Sequence, residues 1–145
     1  MKYFKIEEFS KSETAVKYGI DNTIPPALRS NIDELVYNLL DKLREAWSVE
    51  CGKKGYGSPS IVVSSGYRCK ELNEKVGGKP TSAHTTGRAA DLVPANGKIR
   101  EFIAFTKLWC KDKIFDQCIG EYGKWVHLAY KSNDGKQRRM IFDIK

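Results

Sequence analysis

Apolar residues return at three- and four-residue intervals from Leu28 through Ile32, Leu35, Val36, Leu39, Leu40 and Leu43 to Trp47. That spacing keeps them on one side of an α-helix and predicts a single long amphipathic helix after Pro25-Pro26. Before it, Ser12 is placed to cap a short helix that Gly19 ends. Ile61-Val62-Val63 is short and β-branched, which predicts a buried strand leading into Ser64-Ser65-Gly66-Tyr67-Arg68. A second short helix is expected over 70–76, halted by Gly77-Gly78. A strand follows over 89–93. Residues 97–109 return to helical spacing through Ile99, Phe102, Ile103 and Leu108. From Phe115 onward the pattern is that of strands: 115–122, a tight turn at Gly123-Lys124, 125–130, a turn at Asn133-Asp134-Gly135, and 140–144. Helices first and a mostly antiparallel meander last predict an α+β fold, with N-terminal helices packed on a small sheet.

There is no internal repeat, low-complexity tract or linker, so residues 1–145 are expected to form one domain. A chain of that length can bury roughly two thirds of its unfolded surface, enough for an ordinary core without disulfides. The four cysteines, Cys51, Cys69, Cys110 and Cys118, form no C-x-x-C pair. Neither a zinc ribbon nor a dithiol redox motif is indicated, and reduced, packed thiols are expected. The first nine residues mix charges into their apolar positions, unlike the apolar stretch of a secretory signal, and no later run approaches membrane-spanning length. The expected product is made in the cytoplasm and does not insert in membranes. Lys and Arg outnumber Asp and Glu by 25 to 18, a net charge of +7 that favours anionic partners. The basic residues are dispersed and not interleaved with aromatics, so a nucleic-acid platform is not expected.

His84 and His127 are the only histidines, and any imidazole chemistry must use them. His84 lies in a loop seven residues before Asp91, which sits on an apolar strand, and a reversal at Gly87 would bring the two together. Alternation along its strand puts His127 on a face with Trp125 and Ala129, opposite Val126 and Leu128. A lone strand histidine is more often structural, but two histidines and an aspartate with one position left open would make the donor set of a catalytic zinc site. Glu121 lies on the strand before the tight turn, so hairpin closure would bring it beside the His127 strand as a candidate general base. Asp116 is the competing carboxylate, although its place equally suits a hydrogen bond at the start of the strand. Arg68 follows a turn glycine, where a guanidinium can grip a carboxylate through two parallel bonds.

These blocks, in order, resemble the zinc D-Ala-D-Ala carboxypeptidases and the related endolysin peptidases that cut peptidoglycan stem peptides. The N-terminal part of the resemblance is Phe9-Ser10-Lys11-Ser12 with Gly19-Ile20-Asp21-Asn22. The central part is Ser64-Ser65-Gly66-Tyr67-Arg68, then Leu72-Asn73, then Val76-Gly77-Gly78. The metal motifs are Ser82-x-His84-x-x-Gly87-x-Ala89-x-Asp91, and Phe115-Asp116-Gln117-x-Ile119-x-Glu121 with Trp125-Val126-His127. The similarity runs from about Phe4 to Tyr130.

The resemblance implies one zinc ion on the sheet, held by His84, Asp91 and His127, and a monomeric enzyme. Arg68 would hold a substrate carboxylate or carbonyl, Ser82 and Trp125 would contact substrate, and Glu121 would serve as the base. One departure stands out, since several relatives carry an acidic residue three positions before the last histidine and Lys124 stands there in this chain. The implied partner is a peptidoglycan stem peptide, cut at its terminal D-Ala or within the stem. The enzyme would act on the wall after release, as a phage or prophage product does. The alternative is a zinc-binding wall module of the same fold without catalysis.

Overall fold

A computed structural model describes residues 1–145. The N-terminal segment makes a 3-10 turn at Ile6–Phe9 and then helix α1, Glu13–Tyr18. As expected, the Ser12 hydroxyl accepts the Ala15 N–H at 3.1 Å, and Gly19 closes the helix in the left-handed conformation. The long amphipathic stripe forms α2 (Arg29–Leu35) and α3 (Asp41–Lys54), joined by a π-helical turn at Val36–Leu40. The periodicity did not foretell this turn. Within it the Asn38 carboxamide donates to the Glu34 carbonyl at 2.8 Å, and the Asp41 N–H reaches back five residues to the Val36 carbonyl. All seven apolar positions from Ile32 to Trp47 are nonetheless almost fully buried.

The remaining elements are β1 (Ile61–Ser65), α4 (Lys70–Lys75), β2 (Ala89–Pro94), α5 (Ile99–Cys110), β3 (Gln117–Glu121), β4 (Trp125–Ala129) and β5 (Met140–Ile144). The strands form one sheet in the order β1-β2-β4-β3-β5. Three pairings are antiparallel, as expected, but β5 does not continue the meander. Both edges of β4 are already taken by β2 and β3, so the chain turns at Asn133-Asp134-Gly135 and crosses to the free edge of β3, where it pairs in parallel.

Alternation along the sheet separates two faces. Leu92, Cys118, Val126 and Leu128 join the helical core, in which Trp47 packs against Phe102 and Phe105 with ring centroids 5.1 and 5.3 Å apart. Asp91 and His127, directly paired between β2 and β4, point to the other face. The four cysteines are free, three of them buried. No helix is long and apolar enough to cross a membrane.

Leu43 makes no contact with solvent, so Leu43→Ala removes about three methyl-sized groups from a closed core and should destabilise the chain by about 2–5 kcal/mol. Val49→Ala, on the exposed side of α3, should stay within about 0.5 kcal/mol of the parent. Urea unfolding of the two variants compares them, and equal losses would contradict the assigned helix faces.

Candidate metal centre

His84 sits on a four-residue 3-10 turn, Ala83–Thr86. The Ser82 hydroxyl accepts the His84 N–H at 3.2 Å at its start, and Gly87 ends it with a positive φ. Glycine is required at 87 for a second reason: a Cβ there would lie 2.8 Å from Ile32 Cγ1, so α2 can press directly on the turn. The Arg68 N–H donates to the His84 carbonyl at 3.0 Å and ties the turn to the end of β1. The reversal at Gly87 then feeds β2 and delivers Asp91.

His84 Nε2, Asp91 Oδ1 and His127 Nδ1 stand 3.2 Å from one another in each pair, and all three residues are buried. The partner on the far side of the His84 ring decides what this cluster can bind. His84 Nδ1 lies 2.7 Å from the Gly66 carbonyl oxygen, which can only accept, so Nδ1 carries the proton and Nε2 of the neutral ring is a bare lone pair. That lone pair faces a carboxylate oxygen and a second imidazole nitrogen. A proton on His127 Nδ1 can be shared between the two facing acceptors, whereas a cation satisfies all three at once. Burial raises the proton affinity of the Asp91 carboxyl, but His84 and His127 more than offset this and hold it ionised well below the usual carboxylate range.

Arg68 occupies the other side of Asp91. Its Nη2 reaches Asp91 Oδ2 at 3.4 Å, its Nε donates to Ser65 Oγ at 3.0 Å, and its Nη1 donates to Asn73 Oδ1 at 3.2 Å. The two carboxylate oxygens are therefore divided, Oδ2 to the guanidinium and Oδ1 to the imidazoles. Glu121 ends β3 opposite Trp125, with Oε1 3.7 Å from His127 Nδ1. Burial, and next the Asp91 charge, push its carboxyl above the ordinary glutamate range, while the two histidines pull the other way.

Residues 2–129 match the family model for peptidase M15. The chain belongs to the peptidase M15 family. No curated relative matches it significantly. M15 peptidases are zinc-dependent enzymes of the cell wall, and a His/Asp/His set with ligand atoms within 4.8 Å of one another fits a zinc ion by donor type and number.

An open cleft of about 1290 Å³ leads to this M15 centre. Its walls are the 10–23 segment and β1, and Arg68, Asp91 and Trp125 line it. Trp125 packs against Tyr122 with centroids 5.6 Å apart. Ser82 is engaged as the cap of the His84 turn. Lys124 is exposed in the tight turn after β3. Asp116 is elsewhere: its buried carboxylate takes Arg138 Nε at 2.8 Å and Nη2 at 2.9 Å, and also the Arg138 backbone N–H at 3.1 Å. It serves the sheet edge, which leaves Glu121 as the carboxylate beside the cluster.

Three contributors carry no chemical signal in the sequence. The Gly66 carbonyl sets the His84 tautomer, while Ser65 and Asn73 anchor Arg68. Asn73 is itself fixed through Nδ2 to the Lys79 carbonyl at 2.9 Å. Only the order Ser64-Ser65-Gly66-Tyr67-Arg68 and Leu72-Asn73 hinted at them.

Gly87→Ala adds the contact with Ile32 to the strain of a positive φ, whereas Gly97→Ala meets open space and incurs the strain alone. The first should destabilise by more than the second, and by more than about 1 kcal/mol in total. Thermal unfolding of both variants tests this; equal melting temperatures would mean that α2 does not hold the His84 turn.

Proposed function

We propose that this M15 peptidase hydrolyses an amide bond in peptidoglycan stem peptides, as a single peptidase domain holding one zinc ion on His84, Asp91 and His127. The observation that carries the reading is the convergence of three potential ligand atoms beside a partly buried carboxylate and an anchored guanidinium at the head of an open cleft. Zinc, when bound in such a site, polarises a carbonyl and acidifies water.

Glu121 accepts the proton of the attacking water at a carboxylate oxygen and returns it to the departing amine. A carboxylate with a raised proton affinity is the stronger base for that work. Arg68 binds the acidic end or a neighbouring carbonyl of the stem peptide. A guanidinium has five N–H donors, and the partners described above use three, so two remain for substrate while the group is already oriented. Trp125 supplies an aromatic wall of the cleft, and Ser82, which keeps its own O–H as a donor, contacts substrate beside His84. Glu121 beside the cluster favours catalysis over a zinc-binding wall module without activity. The openness of the cleft suits a chain that continues past the cut, hence an endopeptidase within the stem as readily as trimming of a terminal D-Ala. The +7 charge supports attraction to anionic wall polymers after release from the cell, the circumstance of a phage or prophage lysis enzyme.

Incubation with purified peptidoglycan, with and without chelator, should release peptide fragments only in the metal-replete sample, and their masses identify the bond cut. Retained zinc without cleavage of any wall type would replace the enzyme with the binding module. His127→Ala should lose both metal and hydrolysis. Glu121→Gln should keep the metal while turnover falls about 10²- to 10⁴-fold; unchanged turnover would assign the proton transfer to another group.

A further inference from the structure

The turn that carries His84 is four residues of 3-10 helix, an element too short to hold its own shape. On one side α2 grips it: the Asn31 carboxamide donates to the Thr86 carbonyl at 2.9 Å, and Ile32 packs on Gly87. On its other side lies the turn that follows β4. From there the Asn133 carboxamide reaches across. Its Nδ2 donates to the carbonyl oxygens of Thr81 at 3.1 Å and Ser82 at 3.2 Å, and its Oδ1 accepts the Thr86 hydroxyl at 2.6 Å. Both N–H donors and the acceptor of one planar amide are thus spent on residues before and after His84.

Asn133 can act in this way because its own backbone is fixed. The Ser132 N–H donates to the Lys136 carbonyl at 3.0 Å, the Gly135 N–H to the Ser132 carbonyl at 2.9 Å, and the Lys136 N–H to the Ser132 hydroxyl oxygen at 2.9 Å. The Ser132 hydroxyl in turn donates to Asp134. Beyond this knot, Arg138 grips Asp116 and β5 pairs with β3, so the turn is tethered to the sheet on both sides.

We infer that Asn133 is a positioning residue for the metal centre, a staple across the 81–87 turn that keeps His84 Nε2 aimed at Asp91 Oδ1 and His127 Nδ1. The inference rests on the reading of those three residues as the zinc ligands. Asn133 lies beyond residues 2–129, so this support belongs to the C-terminal segment outside the family match. Its three hydrogen bonds are solvent-exposed, and water replaces exposed bonds at small net cost to overall stability. Their effect on one ligand's orientation is a different quantity, because partners behind a metal ligand typically alter metal affinity by about 10- to 100-fold.

The test compares Asn133→Asp with Arg138→Gln, loaded with cobalt(II) in place of zinc. The first keeps the shape and the acceptor for Thr86 but turns two donors toward carbonyls into acceptors. The second loosens the same C-terminal segment at Asp116 without touching the 81–87 turn. Cobalt release to excess chelator and the visible absorption bands of the bound ion are read alongside the melting temperature. Asn133→Asp should release the metal at least about tenfold faster and shift the bands. Arg138→Gln should melt earlier yet release within about twofold of the parent. Parent-like release from Asn133→Asp, or equal acceleration in both variants, would overturn the staple. A parent chain that holds no cobalt would instead remove the metal reading on which the staple rests.

Discussion

A carboxylate buried in a central strand is tolerated only when each oxygen faces a donor or a positive charge, and Asp91 is such a carboxylate at 5% exposure. Much of the structure follows from that requirement. Arg68 takes one oxygen, and the two imidazoles converge on the other. Because the Gly66 carbonyl claims the Nδ1 proton of His84, the convergence concentrates electron density that a divalent cation neutralises better than a shared proton. The site's apparent excess of acceptors fits a metal centre, and the M15 family is zinc-dependent.

The scaffold exists to hold three donors from distant parts of the chain at one point. Direct pairing of Asp91 with His127 across β2 and β4 fixes two of them through the sheet's own hydrogen bonds. A one-residue slip of either strand would turn its own ligand side chain into the helical core and part it from the other. The third, His84, comes from a short turn and needs outside support. Ile32 provides it through the vacant Cβ position of Gly87, and Asn133 provides it from the opposite side. Strands thus set the rigid half of the site and a braced turn sets the other half, an arrangement suited to a site that must keep its geometry through each cycle.

How much of this was legible in the sequence depended on how local the cause was. Ser12 and Gly19 bound α1 through contacts within a few residues, and both were readable. The scarcity of histidine made His84 and His127 conspicuous, and the hairpin at Gly123-Lys124 made Glu121 their neighbour. The parallel course of β5 was not readable, because no pattern within 140–144 tells which sheet edge stands free. Nor was the π turn, because the three- and four-residue apolar spacing runs through it unbroken. The contributions of Gly66, Ser65 and Asn73 depend on backbone oxygens and on contacts formed only after folding. Asp116 was ambiguous in the sequence and is not so in three dimensions, because Arg138 answers it from 22 residues away.

Whether His84, Asp91 and His127 form a metal centre is tested by a binding equilibrium, without any assumption about substrate. A ligand that binds only the folded state raises its stability by RT ln(1 + [L]/Kd), about 2.7 kcal/mol at a hundredfold excess over Kd. The measurement is a titration of metal-stripped protein with zinc, followed by thermal unfolding and by elemental analysis of the dialysed complex. A metal centre there binds one zinc per chain and raises the melting temperature as free zinc increases, with both effects lost in Asp91→Asn. A melting temperature indifferent to zinc, with no metal retained, would contradict it.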